Sequence, residues 1–218
     1  MIEWNRTAAS IVQLSLMFLV FVLMLLRRKN LGSGKWYFIT ASGIILFLDL
    51  FLFAKRLSTP NFQSAMYYTV FVNFGCFFIY FLYFQQLLKS GIYKLINILI
   101  IFLFLITYFG FYYFDPDFFR IFSFKFYFVE VILLMGSIII LLRQTFNSNK
   151  VLDIKSYFPF WVCIGLMIIY LGVIPLLLIS YSDIKLMNIT IFFIILFIVN
   201  IIGYLILLAG VLFAKNSK

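Results

Sequence analysis

Histidine is absent from the 218 residues, and there are only two cysteines, four prolines and seven acidic side chains. Without histidine there is no His-ligated metal or haem site, no phosphohistidine relay, no HExxH helix and no nucleophile served by a His base. Cys76 and Cys163 stand alone in apolar runs with no CxxC pair, so they read as small buried hydrophobes rather than as a redox couple. Charge is scarce too, at 11% of residues. A soluble domain of this length needs charged side chains over its outside, which excludes a soluble enzyme, a disordered chain and a secreted disulfide scaffold.

What is present is apolar. Hydrophobic residues make up 66% of the chain and aromatic ones 22%, and the mean hydropathy is +1.15. An ordinary globular domain is roughly 45–50% apolar. The apolar residues lie in continuous runs, not in the alternation of a lipid-spanning strand, and about 20 helical residues cross a hydrocarbon core. The reading is an all-α, polytopic transmembrane bundle of seven helices forming one domain over 1–218. The spans fall at about 7–26, 36–54, 65–88, 95–114, 119–142, 158–180 and 187–213.

The formal charge of +10 would suggest nucleic acid in a soluble protein, but here it is a topology signal. With the N-terminus outside and the C-terminus cytoplasmic, 11 of the 17 basic residues fall on the cytoplasmic side. They are Arg27, Arg28, Lys29, Lys35, Lys89, Lys94, Arg143, Lys150, Lys155, Lys215 and Lys218. Glu3, Asp115, Asp117 and Asp183 fall outside. The positive flank of the first span follows its apolar run, the reverse of a secretory signal, so that span is retained. The partners implied are the bilayer itself, anionic lipid headgroups at the cytoplasmic face, and a cytoplasmic signalling protein or membrane partner subunit, with no nucleic acid.

Polar residues at membrane depth are the only candidates for chemistry. Asp49 and Glu130 are carboxyls where a charge costs several kcal/mol unless it is paired or protonated. Counting 1.5 Å per residue, Glu130 falls about 15 Å and Asp49 about 9 Å below the outer ends of their spans. Asn73, Tyr170 and Asn200 join them on three further helices. Helical spacing groups Ser42, Asp49 and Arg56 on one stripe, then Thr69, Asn73, Cys76 and Tyr80, then Tyr127, Glu130 and Ser137, and finally Asn200, Gly203 and Tyr204. Lipid cannot satisfy such stripes, so they turn inward. Two readings compete: hydrogen bonds that glue helices together, or an outward-facing ligand, ion or proton site of Asp49, Asn73, Glu130, Tyr170 and Asn200. Lys125, on another face from Glu130, snorkels outward instead of pairing with it.

Gly165 and Gly172, and likewise Gly203 and Gly210, lie seven residues apart, which suits close helix packing more than a hinge at Pro175. Gly32-Ser33-Gly34-Lys35 resembles the end of a phosphate-binding loop but lacks its first glycine, and Trp36 stands where that loop has Ser or Thr. Asn5-Arg6-Thr7 and Asn188-Ile189-Thr190 match the glycosylation triplet, a pattern frequent by chance. Trp4, Trp36, Trp161, Tyr157, Tyr67 and Tyr68 fit an interfacial aromatic belt.

The stretch Phe158-Pro159-Phe160-Trp161-Val162-x-x-Gly165, with Phe77-Phe78-x-Tyr80-Phe81-x-Tyr83-Phe84, resembles small multi-helix proteins of bacterial inner membranes, some of them similar to the sensory halves of signalling proteins. The resemblance implies a sensor-like role and no particular site residue. The chain thus reads as a sensory, binding or signalling-partner module with no cofactor, not as an enzyme. A small proton-coupled transporter is the alternative, and a lipid-active enzyme or a structural subunit of a membrane complex follows.

Overall fold

The computed structural model describes residues 5–59, 62–181 and 189–215. They form α1 (Arg6–Leu26), α2 (Lys35–Ser58), α3 (Ala65–Leu87), α4 (Gly91–Phe114), α5 (Phe124–Phe146), α6 (Phe158–Tyr181) and α7 (Ile189–Phe213). All seven are long and apolar enough to cross a membrane, consistent with an integral membrane protein. The expected start of the last span at Met187, and the Asn188 triplet, lie outside the described residues.

Two helices start well away from the expected spans for visible reasons, and α2 runs on past the expected 54 to Ser58. The fifth was expected from Phe119, yet α5 starts at Phe124. The Asp115 carboxylate accepts from the Asp117 N–H at 3.1 Å, and backbone bonds Phe118 to Asp115 and Arg120 to Asp117 fold the segment into turns. Phe118 is then buried among the rings of Tyr108, Phe111 and Phe126. The fourth was expected from Leu95, but α4 begins at Gly91, because the exposed Lys94 is tolerated in a first turn. Gly32-Ser33-Gly34-Lys35 is the turn that starts α2. Gly34 has φ +75°, and a Cβ there would meet the Tyr83 ring at 3.1 Å, so both the conformation and the space call for glycine.

The helices gather into two compact units, one made of residues 1–31 with 153–218 and the other of 32–152. In the first, α7 packs against both α6 and α1. The α6–α7 seam is built from glycines. A Cβ on Gly165 would lie 2.8 Å from Leu207, and one on Gly172 would lie 2.6 Å from Val199. Gly203 and Gly210 return the arrangement, facing Ile169 and Trp161. Close packing is therefore what the glycine pairs do. Pro175 lies inside α6, on its exposed surface. α1 and α7 run parallel and are pinned at both ends. The Arg6 guanidinium covers the Phe193 ring at 3.7 Å, and Arg27 donates to the Leu212 and Ala214 carbonyls, which the end of α7 leaves without intrahelical partners. Asn5 caps α1, accepting from the Ala8 N–H at 3.0 Å.

In the second unit α3 is shared by the other three helices, packing on α2, α4 and α5, while α4 also packs on α5. That central place explains why Phe77, Phe81, Tyr83 and Phe84 are all fully buried around its circumference. α4 is the converse. Asn97, Ile100, Phe104 and Tyr108 form one narrow buried stripe, while Ile92, Leu95, Leu99, Phe102, Ile106 and Phe109 are exposed, as a lipid-facing surface requires.

Candidate functional site

The buried face of α5 follows helical spacing through Phe126, Tyr127, Glu130, Val131, Leu134, Ser137, Ile138, Leu141 and Thr145. Glu130 thus holds a position where the pattern calls for an apolar residue. It is 0% exposed, and neither carboxyl oxygen has a hydrogen-bond partner. It lies six residues into α5, about 9 Å along the axis and shallower than the expected depth because the helix starts later. Its electrostatic neighbours are Tyr127, one turn back, and Tyr108 on α4. The Tyr108 ring in turn packs on Phe74 of α3 at 4.4 Å and on Phe126 at 5.6 Å.

Among the described residues no basic side chain is placed to neutralise this carboxyl. α3 carries no charged residue at all. α4 carries only Lys94, in its first turn and so at the opposite end. On α5 itself Lys125 is exposed, as its spacing suggested, and Arg143 lies in the last turn.

Asp49 is placed differently. It is half-buried on α2, and the Tyr68 hydroxyl donates to it at 2.8 Å. Arg56, two turns on, acts electrostatically on the same pair. The sequence reading put Tyr68 in the interfacial belt with Tyr67. Tyr67 does pack at a tilt on the Phe51 and Phe62 rings, but Tyr68 is turned toward α2 and donates to the carboxyl. The two intramembrane carboxyls are therefore unlike: Asp49 is compensated and Glu130 is not.

Between them runs an unusual piece of backbone. Tyr68–Cys76 of α3 is a π-helix, a widened form that is rare and frequent at functional sites. Its stripe is buried as the spacing predicts, with Thr69, Asn73 and Cys76 at 1%, 2% and 0% exposure. The Cys76 thiol donates to the Ala41 carbonyl on α2 at 3.6 Å, while the Thr69 hydroxyl has no partner. Nothing in the local sequence announces the π form.

A second polar group, which the sequence reading did not single out, lies nearer the opposite end of the same unit. The Asn97 amide donates to the Phe81 carbonyl at 3.2 Å and to Gln85 Oε1 at 2.9 Å, and its oxygen accepts from the Ser137 hydroxyl at 2.7 Å. One side chain thus ties α3, α4 and α5 together with every bond satisfied. Gln144 of α5 does similar work at the α3–α4 turn, accepting from the Lys89 N–H at 2.7 Å and donating to the Leu87 carbonyl at 3.2 Å. These are the interhelical glue expected of polar residues in a membrane.

Of the five site residues named from sequence, Asp49, Asn73 and Glu130 fall in the 32–152 unit, and Tyr170 and Asn200 in the other. Tyr170 is buried at 6% exposure. Asn200 is half-buried and gives its amide to the Leu196 carbonyl of its own helix at 2.9 Å, a structural use. Among the described residues no three His, Cys, Asp or Glu side chains gather closely enough to hold a metal ion. No known protein family matches the chain, nor does any curated protein or solved structure.

Proposed function

We propose that this chain is a sensing or binding module of the bacterial cytoplasmic membrane, with its N-terminus outside and its site in the 32–152 unit around Glu130. The observation that carries the reading is the fully buried carboxyl without a hydrogen-bond partner. Keeping such a group costs several kcal/mol, and polar glue does not account for it, because glue residues are bonded to something, as Asn97 is. The basic loops then face the cytoplasm, where anionic headgroups and a cytoplasmic signalling partner would meet them. A small proton-coupled carrier is the second reading, favoured by the same uncompensated carboxyl.

A module that senses through Glu130 changes its opening when that side chain can no longer ionise. Cys76 reports this directly, since it is buried on α3, and Cys163→Ser leaves it the sole thiol. In liposomes, Glu130→Gln is expected to slow alkylation of Cys76 by N-ethylmaleimide about tenfold, equivalent to about 1.4 kcal/mol in opening. Asp49→Asn is expected to leave the rate within about twofold, well under that 1.4 kcal/mol. Equal Cys76 rates in wild type and Glu130→Gln would remove the sensing reading. Acidification of dye-loaded liposomes that Glu130→Gln abolishes would favour the carrier.

A further inference from the structure

We infer that the positive charge missing beside Glu130 is taken from solution, so that this carboxyl is the binding site of one small monovalent cation, a proton or an alkali-metal ion. The inference rests on the site assigned above and names what occupies it. Each helix packed around the carboxyl supplies part of the argument. α3 brings no charged side chain, and its ionisable groups are Tyr67, Tyr68, Cys76, Tyr80 and Tyr83. α4 brings Tyr108 and Tyr112 toward this end, with Lys94 at the other. α5 brings Tyr127, the exposed Lys125 and the distant Arg143. α2, which packs on α3, brings Asp49 and Arg56, engaged with Tyr68.

With Asp49 and Arg56 offsetting each other, the balance among the described residues of these helices is one carboxyl and no cation. Its two oxygens, both without a partner, can carry at most a single negative charge, in a setting where ionised groups are held only when neutralised. The stoichiometry sets the ligand class. A divalent ion would leave one positive charge unpaired in the membrane, since Glu130 is the only acidic residue on α3, α4 and α5. Complete burial sets the size, since a side chain with 0% exposure is closed to a bulky organic cation. A single positive charge of small size satisfies both conditions: a proton needs no further ligand, and an alkali ion would take its remaining oxygens from groups such as the neighbouring Tyr108 and Tyr127 hydroxyls.

The test uses the full chain in nanodiscs of neutral lipid. If a proton occupies the site, infrared spectra show the carbonyl stretch of a protonated carboxyl in wild type and in Asp49→Asn, and not in Glu130→Gln. If an alkali ion occupies it, sodium or potassium chloride raises the thermal midpoint above that in choline chloride at equal ionic strength, and Glu130→Gln removes the difference. At an ion concentration 100 times the dissociation constant that protection corresponds to about 2.7 kcal/mol. Glu130→Leu serves as the second variant if the glutamine form does not fold. A wild type that matches the Glu130 variants in both spectrum and salt response overturns the ion site. An ion signature at Glu130, together with Cys76 labelling indifferent to Glu130→Gln, would leave the ion site standing and remove the sensing reading alone.

Discussion

Gly203→Leu is expected to lower the thermal midpoint of the purified protein more than any other single change on the α6–α7 seam. Even a Cβ at this position runs into Ile169, and Gly203 also approaches the Gly165 carbonyl, 3.3 Å from where that Cβ would sit. Backbone in that position cannot swing aside as a flexible side chain can. Overpacking a tight core costs about 1–3 kcal/mol. For a chain of this size 3 kcal/mol corresponds to roughly 6–12 °C. Gly110→Leu is the control, because nothing lies within 4 Å of a Cβ there. Thermal denaturation followed by circular dichroism in detergent checks both. Equal midpoints for Gly203→Leu and wild type would mean that the glycine seam does not hold α6 against α7.

The second large effect is expected at Asn97. Leucine there fills a similar volume but leaves the Ser137 hydroxyl and the Gln85 amide without the partner they have now. Leaving a buried polar group unsatisfied costs about 1–3 kcal/mol, whereas removing both members of a pair is nearly neutral. Asn97→Leu should therefore destabilise by about 2 kcal/mol, and Ser137→Ala added to it should restore part of the loss. Measured interhelical hydrogen bonds in membranes average only about 0.6 kcal/mol. The larger figure here follows from one residue bonding to three groups on two other elements of its unit. Two losses that simply add would show that the three groups do not act as a unit.

Much of this was legible in the sequence, and the exceptions have physical causes. Spacing alone put Thr69, Asn73, Cys76 and Tyr80 on one face, and Tyr127, Glu130 and Ser137 on another, and all seven are buried. The glycine pairs of α6 and α7 were legible because a missing side chain seven residues apart has few other uses. Asn97 was missed for a reason that starts at Lys94. Taking the lysine as a boundary put Asn97 at the tip of its span, where an asparagine needs no explanation. With the helix starting at Gly91, it lies nearly two turns inside and must be bonded. The bond from Tyr68 was not foreseen, because a tyrosine near a span end fits a belt and only the partner across on α2 reveals this further use. The π-helix is set by how α3 packs among its neighbours, which spacing along one chain does not encode. Asp49 and Glu130 looked alike for the same reason. Their difference lies in what surrounds them: Tyr68 and Arg56 for one, and, among the described residues, no basic side chain for the other.

The claim on which the rest depends is that Glu130 is sealed among helices while Lys125, five residues earlier, is open. Single cysteines at these two positions, in a background of Cys76→Ser and Cys163→Ser, measure it directly. In lipid vesicles Lys125→Cys should react readily with N-ethylmaleimide. Glu130→Cys should react at least about a hundredfold more slowly, as an opening cost of about 2.8 kcal/mol requires, and become equally reactive in denaturing detergent. Equal rates at the two positions in intact vesicles would contradict the account.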